Sequence, residues 1–398
     1  MKVLDSSELH SGSTESRNVD LTKYRKKKKR SKHLVKLLIL LAVIIVFAVV
    51  WLNADTIFEP LRGIASKVDT KTSYTAEFPI ELPGSGSYSF QKLGDSFLLL
   101  TDTYLYAYDT SGAQLYALKH GYSIPCAAAN EKRVILYDRS GYNFAVYSKT
   151  SLMYAKAVDD KIIYAAVGSD NMYAVVTDSQ RYSNVLYIYD DSGNWKYTRK
   201  FADENIMQTA FTGDGEHIIV STLCSSDGDI VTTFYKFSVK TPDNYIWKYS
   251  VRGSMPCGLY SDKKTAVAVC DDRVLSLDIS TGELNGSYPY TGTLRDFAFT
   301  ESSCVLYYND ISTSRDSLIL LDSSAEAVSA ADISSSATCV QADAEGIYVL
   351  EGAKMMVWDA ELMNEKAVQL ENKGFTEFIK IDDSLILLGY DTLDKTEL

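Results

Sequence analysis

LYAYDTSG, at Leu105–Gly112, is the stretch that decides the fold, because close variants of it recur along the chain. LYIYDDSG occupies Leu186–Gly193 and LSLDISTG occupies Leu275–Gly282, while LILLDSS at Leu318–Ser324 and MVWDAE at Met356–Glu361 are less complete versions. In most of them an alternating apolar segment ends at an aspartate followed by hydroxyl or small residues. Alternation with a period of two is typical of a β-strand. Since Asp accepts bonds from backbone N–H groups and Gly tolerates positive φ, each stretch predicts a strand that ends in a tight turn.

A short, continuously apolar run rich in β-forming residues lies upstream of these strands. Eight such runs occur, and their starts are 37 to 48 residues apart, on average about 41. The runs are Phe97–Leu100, Val134–Tyr137, Tyr173–Val176, Ile218–Val220, Ala266–Val269, Val305–Tyr308, Ile347–Leu350 and Leu385–Leu388. A polar turn and another apolar stretch precede nearly every run, which predicts a hairpin. Four strands in about 41 residues is the period of one propeller blade and is too long for a leucine-rich repeat.

These repeats predict an all-β chain folded as a β-propeller of eight blades. Seven blades is the alternative, because the two longest intervals make the strand assignment there ambiguous. The eighth unit is incomplete, since only ten residues follow Leu385–Leu388. We expect the spare strand Ser73–Ile80 to pair with this last unit, which would close the ring and remove an exposed sheet edge.

An apolar run without any polar side chain precedes the repeats. A helix of about 20 residues spans the ~30 Å hydrocarbon layer of a bilayer, and Lys36 can extend its ammonium to the interface. We therefore predict a single transmembrane helix over residues 34–52. Its apolar residues are Leu37, Leu38, Ile39, Leu40, Leu41, Ala42, Val43, Ile44, Ile45, Val46, Phe47, Ala48, Val49, Val50, Trp51 and Leu52.

The orientation of this helix follows from charge. Residues 1–36 carry eleven Lys or Arg against four Asp or Glu, whereas the remainder carries twenty-nine against forty-eight. Basic residues beside a span stay in the cytoplasm. The topology signal consists of Lys26, Lys27, Lys28, Lys29, Arg30 and Lys32.

The chain therefore divides into four segments. These are a disordered basic cytoplasmic tail (1–33), the transmembrane helix (34–52), a juxtamembrane stalk (53–72) and an extracytoplasmic propeller (73–398). We favour an uncleaved anchor in the cell membrane over a cleavable signal peptide, because the leading region exceeds thirty residues and no Ala-x-Ala-like site follows Leu52. The lipid bilayer is the first expected partner.

The YDTSG, YDDSG and LDISTG turns resemble those of quinoprotein-like propellers. With the N-terminal helix, the chain is similar to a family of membrane-anchored propeller proteins of unknown function from Gram-positive bacteria. Propellers of the WD40 type are a poorer match, because Trp358–Asp359 is the only Trp-Asp pair in the sequence. The resemblance implies an extracytoplasmic protein that mediates interactions.

Motifs for catalysis are weak throughout the repeats. Only His120 and His217 follow the anchor, without HExxH or GxSxG, and a structural role in a turn is expected for both. Two SxxK matches, at Ser89–Lys92 and Ser261–Lys264, fall on a strand and a turn instead of a helix start. We therefore predict no catalytic residues, no metal site and no cofactor. Acidic turns at Asp190–Asp191 and Asp227–Asp229 lack the spacing of a calcium loop.

The six cysteines all follow the anchor, and their even number leaves disulfides and free thiols equally open. They are Cys126, Cys224, Cys257, Cys270, Cys304 and Cys339.

These features favour a binding or scaffolding module whose partner is an envelope protein or a cell-wall component, and not an enzyme. The alternative is an extracytoplasmic lyase or hydrolase that uses carboxylates and tyrosines of the propeller channel. Binding to nucleic acid is not expected, because the repeat region is strongly acidic.

Overall fold

The computed structural model describes residues 77–83, 87–241, 244–372 and 374–398. These residues form eight antiparallel sheets of four strands each, so the predicted eight-bladed propeller is confirmed for the described part of the chain. No helix within these ranges has the length and hydropathy needed to span a membrane. The predicted tail, the predicted anchor and the whole of the predicted stalk lie outside the described residues.

The blades follow one another along the chain, and seven of them are built from four consecutive strands. Blades 1 to 4 consist of β2 (Ser89–Leu93), β3 (Ser96–Leu100), β4 (Tyr104–Asp109) and β5 (Gln114–Lys119); β6 (Pro125–Ala129), β7 (Arg133–Asp138), β8 (Asn143–Ser148) and β9 (Leu152–Ala157); β10 (Ile162–Val167), β11 (Tyr173–Thr177), β12 (Asn184–Tyr189) and β13 (Trp195–Phe201); and β14 (Asn205–Phe211), β15 (His217–Ser226), β16 (Asp229–Ser238) and β17 (Trp247–Arg252).

Blades 5 to 7 repeat this pattern, and blade 8 combines the last three strands with the first one. They consist of β18 (Pro256–Ser261), β19 (Thr265–Cys270), β20 (Arg273–Asp278) and β21 (Leu284–Pro289); β22 (Gly292–Phe299), β23 (Ser303–Asp310), β24 (Arg315–Asp322) and β25 (Ala327–Ile333); β26 (Ala337–Ala342), β27 (Gly346–Glu351), β28 (Lys354–Asp359) and β29 (Glu365–Gln369); and β30 (Glu377–Ile381), β31 (Ser384–Leu388), β32 (Thr392–Glu397) and β1 (Ile80–Glu81).

The apolar runs of the sequence all fall on the second strand of a blade, and the strands before the Asp turns are the third. β3 and β31, for example, are buried along their whole length. This burial arises because a neighbouring blade covers each face of the sheet, which explains why these strands are continuously apolar.

The hydrophobic core is divided into eight clusters, one between each pair of adjacent blades. The cluster between blades 8 and 1, for example, joins Phe97 and Leu99 to Ile381 and Ile386. Each blade thus shares its apolar side chains with its two neighbours, so the fold is held together around the ring.

The ring is closed by β1, which pairs with β32 through Ile80 opposite Leu393 and Glu81 opposite Thr392. The prediction that an N-terminal strand completes the last blade is confirmed. Of the predicted strand Ser73–Ile80, only Ile80 belongs to β1, which continues to Glu81; residues 77–79 are not in a strand, and residues 73–76 lie outside the described part of the chain. Pro79 has no N–H to donate to a ladder.

The tight turns adopt the predicted conformation. Asp109 accepts bonds from the N–H groups of Ser111 (2.8 Å) and Ala113 (3.0 Å). Gly112 and Gly193, at the ends of two such turns, have φ of +87° and +77°. A residue with a Cβ is strained at such angles, which explains the glycine of the motif.

The longest interval in the repeat has a simple cause. β15 and β16 of blade 4 have ten residues each, and they pair from His217–Ser238 to Ser226–Asp229. This hairpin is longer than its counterparts in the other blades, so it adds residues without adding a strand.

The antiparallel order gives the propeller two distinct faces. The turns between first and second strands and those between third and fourth strands lie on one face, which we call the turn face. The loops between second and third strands and those that join successive blades lie on the other.

Candidate functional site

The first strands of the blades surround a central channel, and side chains connect several of them. Gln91 Nε2 donates to Ala127 O at 2.8 Å, and Gln208 Nε2 donates to Cys257 O at 3.2 Å. Asp296 Oδ2 accepts a bond from Val340 N at 2.8 Å. These bonds join blade 1 to 2, blade 4 to 5 and blade 6 to 7, so side chains tie the channel wall together at these three junctions.

A cavity of about 740 Å³ opens where the channel meets the turn face. Its walls are the ends of β10, β14 and β18, the turns that follow these strands, and Glu301 from blade 6. Its size lies within the ~300–1,000 Å³ that is typical of small-molecule sites.

Aromatic side chains form the apolar wall of this cavity. Phe211 is buried against Gly168, where an added Cβ would lie 2.7 Å from the ring. Tyr260 stacks on Phe299 with ring centroids 5.6 Å apart, and Phe299 contacts Phe297 edge to face. The packed rings hold Tyr260 in place, so this wall is preformed.

Charged groups of both signs lie at the rim. Lys263 and Lys264 are exposed, and neither side chain forms an ion pair with any described residue. Asp262 Oδ1 accepts the N–H groups of Lys264 and Thr265, both at 2.6 Å, so its carboxylate stabilises its own turn. Burial raises the pKa of the Tyr260 phenol, and the carboxylates of Asp262 and Glu301 raise it further.

The turn face as a whole is acidic. Every turn between a first and a second strand carries at least one carboxylate: Asp95, Glu131, Asp170, Asp214, Glu216, Asp262, Glu301, Asp343, Glu345, Asp382 and Asp383. Some are neutralised, as where buried Lys380 Nζ lies 2.9 Å from Asp343 Oδ2 and 2.6 Å from Glu345 Oε2. Lys263 and Lys264, like Lys132 in the equivalent turn of blade 2, are exposed cations without an ion pair on this acidic surface.

Two carboxylates belong to the described first strands, Asp296 on β22 and Glu377 on β30. Burial raises the pKa of Asp296, although N–H groups of Val340 and Phe297 oppose this. Burial and the proximity of Asp296 both raise the pKa of Glu377. Cys339 lies on the strand between them, and burial raises the pKa of its thiol to about 12. This group is the main titratable cluster of the channel wall.

Both histidines have hydrogen-bond partners in turns or loops, in line with the structural role expected from the sequence: His217 within its own turn, and His120 in its own loop and in the loop that follows β3. His120 Nε2 lies 3.1 Å from Thr101 O, and its Nδ1 accepts the N–H of Tyr122 at 3.1 Å. His217 Nδ1 lies 2.9 Å from Asp214 Oδ2.

The residues considered for calcium are engaged by protein cations. Asp191 receives two bonds from Arg133, at 2.8 and 3.2 Å, and Asp190 pairs with Lys196 at 2.9 Å. Arg252 lies 3.6 Å from Asp227 and 3.4 Å from Asp229. Across the described ranges, no group of three or more His, Cys, Asp or Glu is placed to hold a metal ion.

The remaining sequence candidates are separated. Ser89–Lys92 belongs to β2, whereas Ser261–Lys264 runs from the end of β18 into the cavity rim. All six cysteines are free thiols in the structure. Sequence reasoning missed Phe211, Tyr260 and Glu301 as cavity residues, because they come from three blades and share no motif.

The carboxylate of Asp214, in a turn of the turn face, is expected to contribute to stability in a way that depends on pH. Burial opposes its ionisation, but bonds from Thr212 Oγ1, Glu216 N and His217 lower the pKa of Asp214 to about 2. Its unfolded pKa is about 3.9, so its stabilisation is present above that pH and is lost as the pH falls towards 2. Because the side chain is 41% exposed, we expect Asp214→Asn to lower the free energy of unfolding by only about 1 kcal/mol at pH 6.

Chemical unfolding at pH 6 and at pH 2 measures this effect. The difference between wild type and Asp214→Asn should shrink at pH 2. Asp383→Asn, which changes an exposed carboxylate in another turn of the same face, is the matched control. A difference that persists unchanged at pH 2 would contradict the assignment.

The ring of four-stranded blades defines this protein as a β-propeller, and comparison with solved structures agrees. The chain is similar to BamB from Moraxella catarrhalis (TM-score 0.54, 10% identity, 82% of this chain and 100% of that one). It is also similar to Sqt1 from Saccharomyces cerevisiae (TM-score 0.60, 9% identity, 82% and 100%) and to the WD40 domain of SCAP from fission yeast (TM-score 0.54, 9% identity, 80% and 97%). At these identities the likeness concerns the fold alone.

The chain belongs to the family of unknown function DUF5711, whose model matches residues 67–398. The comparison with curated proteins found no match.

Proposed function

We propose that this chain is a membrane-anchored, extracytoplasmic propeller that binds an envelope protein or a cell-wall component. The observation that carries the proposal is the cavity of about 740 Å³ at the channel mouth, with its packed aromatic wall and its unpaired charges. A ring whose first strands are joined by side-chain bonds presents such a cavity with little reorganisation, and preorganisation of this kind favours binding.

The location in the proposal is supported by the sequence. The apolar run at 34–52 has the length of a bilayer span, and the cluster of basic residues before it favours a cytoplasmic N-terminus. In this arrangement the anchor lies in the lipid bilayer, and the propeller lies outside the cytoplasm, where it can bind an envelope protein or a cell-wall component.

One experiment in intact cells tests both parts. Full-length Ser169→Cys places a thiol at the cavity rim, and Val328→Cys places one on the exposed outer strand of blade 6 as a control. A membrane-impermeant maleimide that carries a photo-crosslinker is then applied, with wild type as the background for the native thiols. We expect both variants to be labelled, and a discrete adduct to form only from Ser169→Cys after illumination.

Absence of labelling in intact cells, together with labelling after lysis, would overturn the external location. Identical adduct patterns from Ser169→Cys and Val328→Cys would overturn the binding role of the cavity.

An enzyme is the second candidate, and the channel pair Asp296 and Glu377 favours it. Burial raises the pKa of both carboxyl groups, and Asp296 raises the pKa of Glu377 further. Carboxyl groups with a raised pKa are suited to general acid catalysis. A lyase or hydrolase of an envelope polymer would lose turnover in Asp296→Asn. Turnover that is unchanged in this variant, or that the purified full chain does not show, argues against the enzyme.

A further inference from the structure

We propose that the cavity at the turn face binds a short peptide that carries a free ammonium group, a free carboxylate and an apolar or aromatic side chain. This inference rests on the proposed binding function and names the chemistry of its ligand. Three features of the cavity lead to it.

The first feature is the balance of charge. Lys263 and Lys264 in blade 5 face no carboxylate within ion-pair distance among the described residues, and Glu301 in blade 6 has no bonded partner there. A ligand of a single sign would satisfy one side of the cavity and be repelled by the other. A zwitterion can place its carboxylate at the lysines and its ammonium at Glu301.

The second feature is the state of the other acidic group. Asp262 precedes both lysines in the same turn, and its Oδ1 accepts bonds from Lys264 N and Thr265 N that hold the carboxylate there. No ion pair joins Asp262 to either neighbouring lysine among the described residues, so both ammonium groups are available to a ligand. The unpaired groups of the rim therefore belong to blade 5 on one side and to blade 6 on the other.

The third feature is the wall between the charges. Phe211 and Leu259 offer apolar surface, and Tyr260 is held by stacking on Phe299. Apolar and aromatic linings with a few placed polar groups are usual in ligand sites. An apolar side chain between two charged termini matches this arrangement.

The test uses the full-length chain in nanodiscs and three forms of one tripeptide, measured by isothermal titration calorimetry. The forms are Ala-Phe-Ala with free termini, the same peptide acetylated at its N-terminus, and the same peptide amidated at its C-terminus. For wild type we expect each blocked form to bind about tenfold more weakly than the free form, because each loses one charged hydrogen bond.

The variants should remove these penalties selectively. Glu301→Gln should weaken binding of the free peptide about tenfold. In this variant N-acetylation of the peptide should no longer change the affinity, whereas C-terminal amidation should still lower it. The double variant Lys263→Gln and Lys264→Gln should show the reverse. Glu131→Gln and Lys132→Gln, which change exposed charges in the equivalent turn of blade 2, are the matched controls and should behave as wild type.

Equal affinity for all three peptides, penalties that the variants do not remove, or no binding of the free peptide would overturn the inference. The proposed function fails by a different result. If Ser169→Cys still gives its specific adduct in cells while the peptide does not bind, the binding role stands and the peptide assignment falls.

Discussion

Replacing Phe97 by alanine is expected to lower the free energy of unfolding by about 3–5 kcal/mol, the range measured for large aromatic side chains in packed cores. Phe97 is completely buried, with its ring centroid 5.6 Å from that of Phe90 and 5.4 Å from that of Tyr108. It belongs to the cluster between blades 8 and 1, where the ring closes. The cavity left by the ring cannot be filled without moving both blades.

Urea unfolding followed by tryptophan fluorescence measures this loss. Leu115→Ala is the control, because Leu115 lies on the outer strand of blade 1 and is 41% exposed; we expect it to cost less than about 1 kcal/mol. Similar losses in the two variants would mean that the junction between blades 8 and 1 is not a packed core.

A disulfide between β1 and β32 is expected to stabilise the propeller by about 3–5 kcal/mol. Glu81 and Thr392 are directly opposite, and the bond from Leu82 N to Asp391 O (2.8 Å) marks the neighbouring pair as hydrogen-bonded. Since hydrogen-bonded and non-hydrogen-bonded pairs alternate, Glu81 and Thr392 form a close pair with Cα atoms about 4.5 Å apart. That separation is within the range that a disulfide bridges.

The size of the effect comes from the length of chain that is enclosed. The bridge would close a loop of about 310 residues, and the chain-entropy model gives about 4.7 kcal/mol for a loop of only 100 residues. The double variant Glu81→Cys, Thr392→Cys is unfolded in guanidinium with and without reductant, after mass spectrometry has verified the bridge. Wild type, whose six thiols are free, should show no such difference. Equal midpoints for the bridged and reduced forms would refute a closing role for β1.

The fold was largely predictable because its determinants are local and repeated. The apolar run Leu385–Leu388 is enough to predict the second strand of a blade. The turn at Asp109 can be recognised from Asp, Ser and Gly at fixed spacing. The pairing of β1 with β32 also follows from the sequence, since an incomplete last blade needs one more strand. The long hairpin of β15 and β16, whose strands have ten residues each, was harder to predict, because a longer interval between repeats does not say which element is longer.

The candidate site was not predictable in the same way. The cavity is assembled from blades 3 to 6, so its residues are separated by about 40 residues at a time and share no spacing. Ser261–Lys264 matches the catalytic SxxK motif by chance. In the structure, Lys263 and Lys264 lie at the rim of the cavity, beside Tyr260. The charged groups available to a ligand are those without an ion-pair partner in the protein. Which groups these are depends on which turns are neighbours in space, and the sequence does not show this.

The composition of blade 8 has a consequence for synthesis of the protein. Its outermost strand, β1, leaves the ribosome before any other part of the propeller, yet its partner β32 is translated last. Until then Ile80 and the first blade expose apolar surface that only the final strands can cover. A chain that stops early would keep this surface exposed, and exposed apolar surface of this kind favours aggregation and proteolysis.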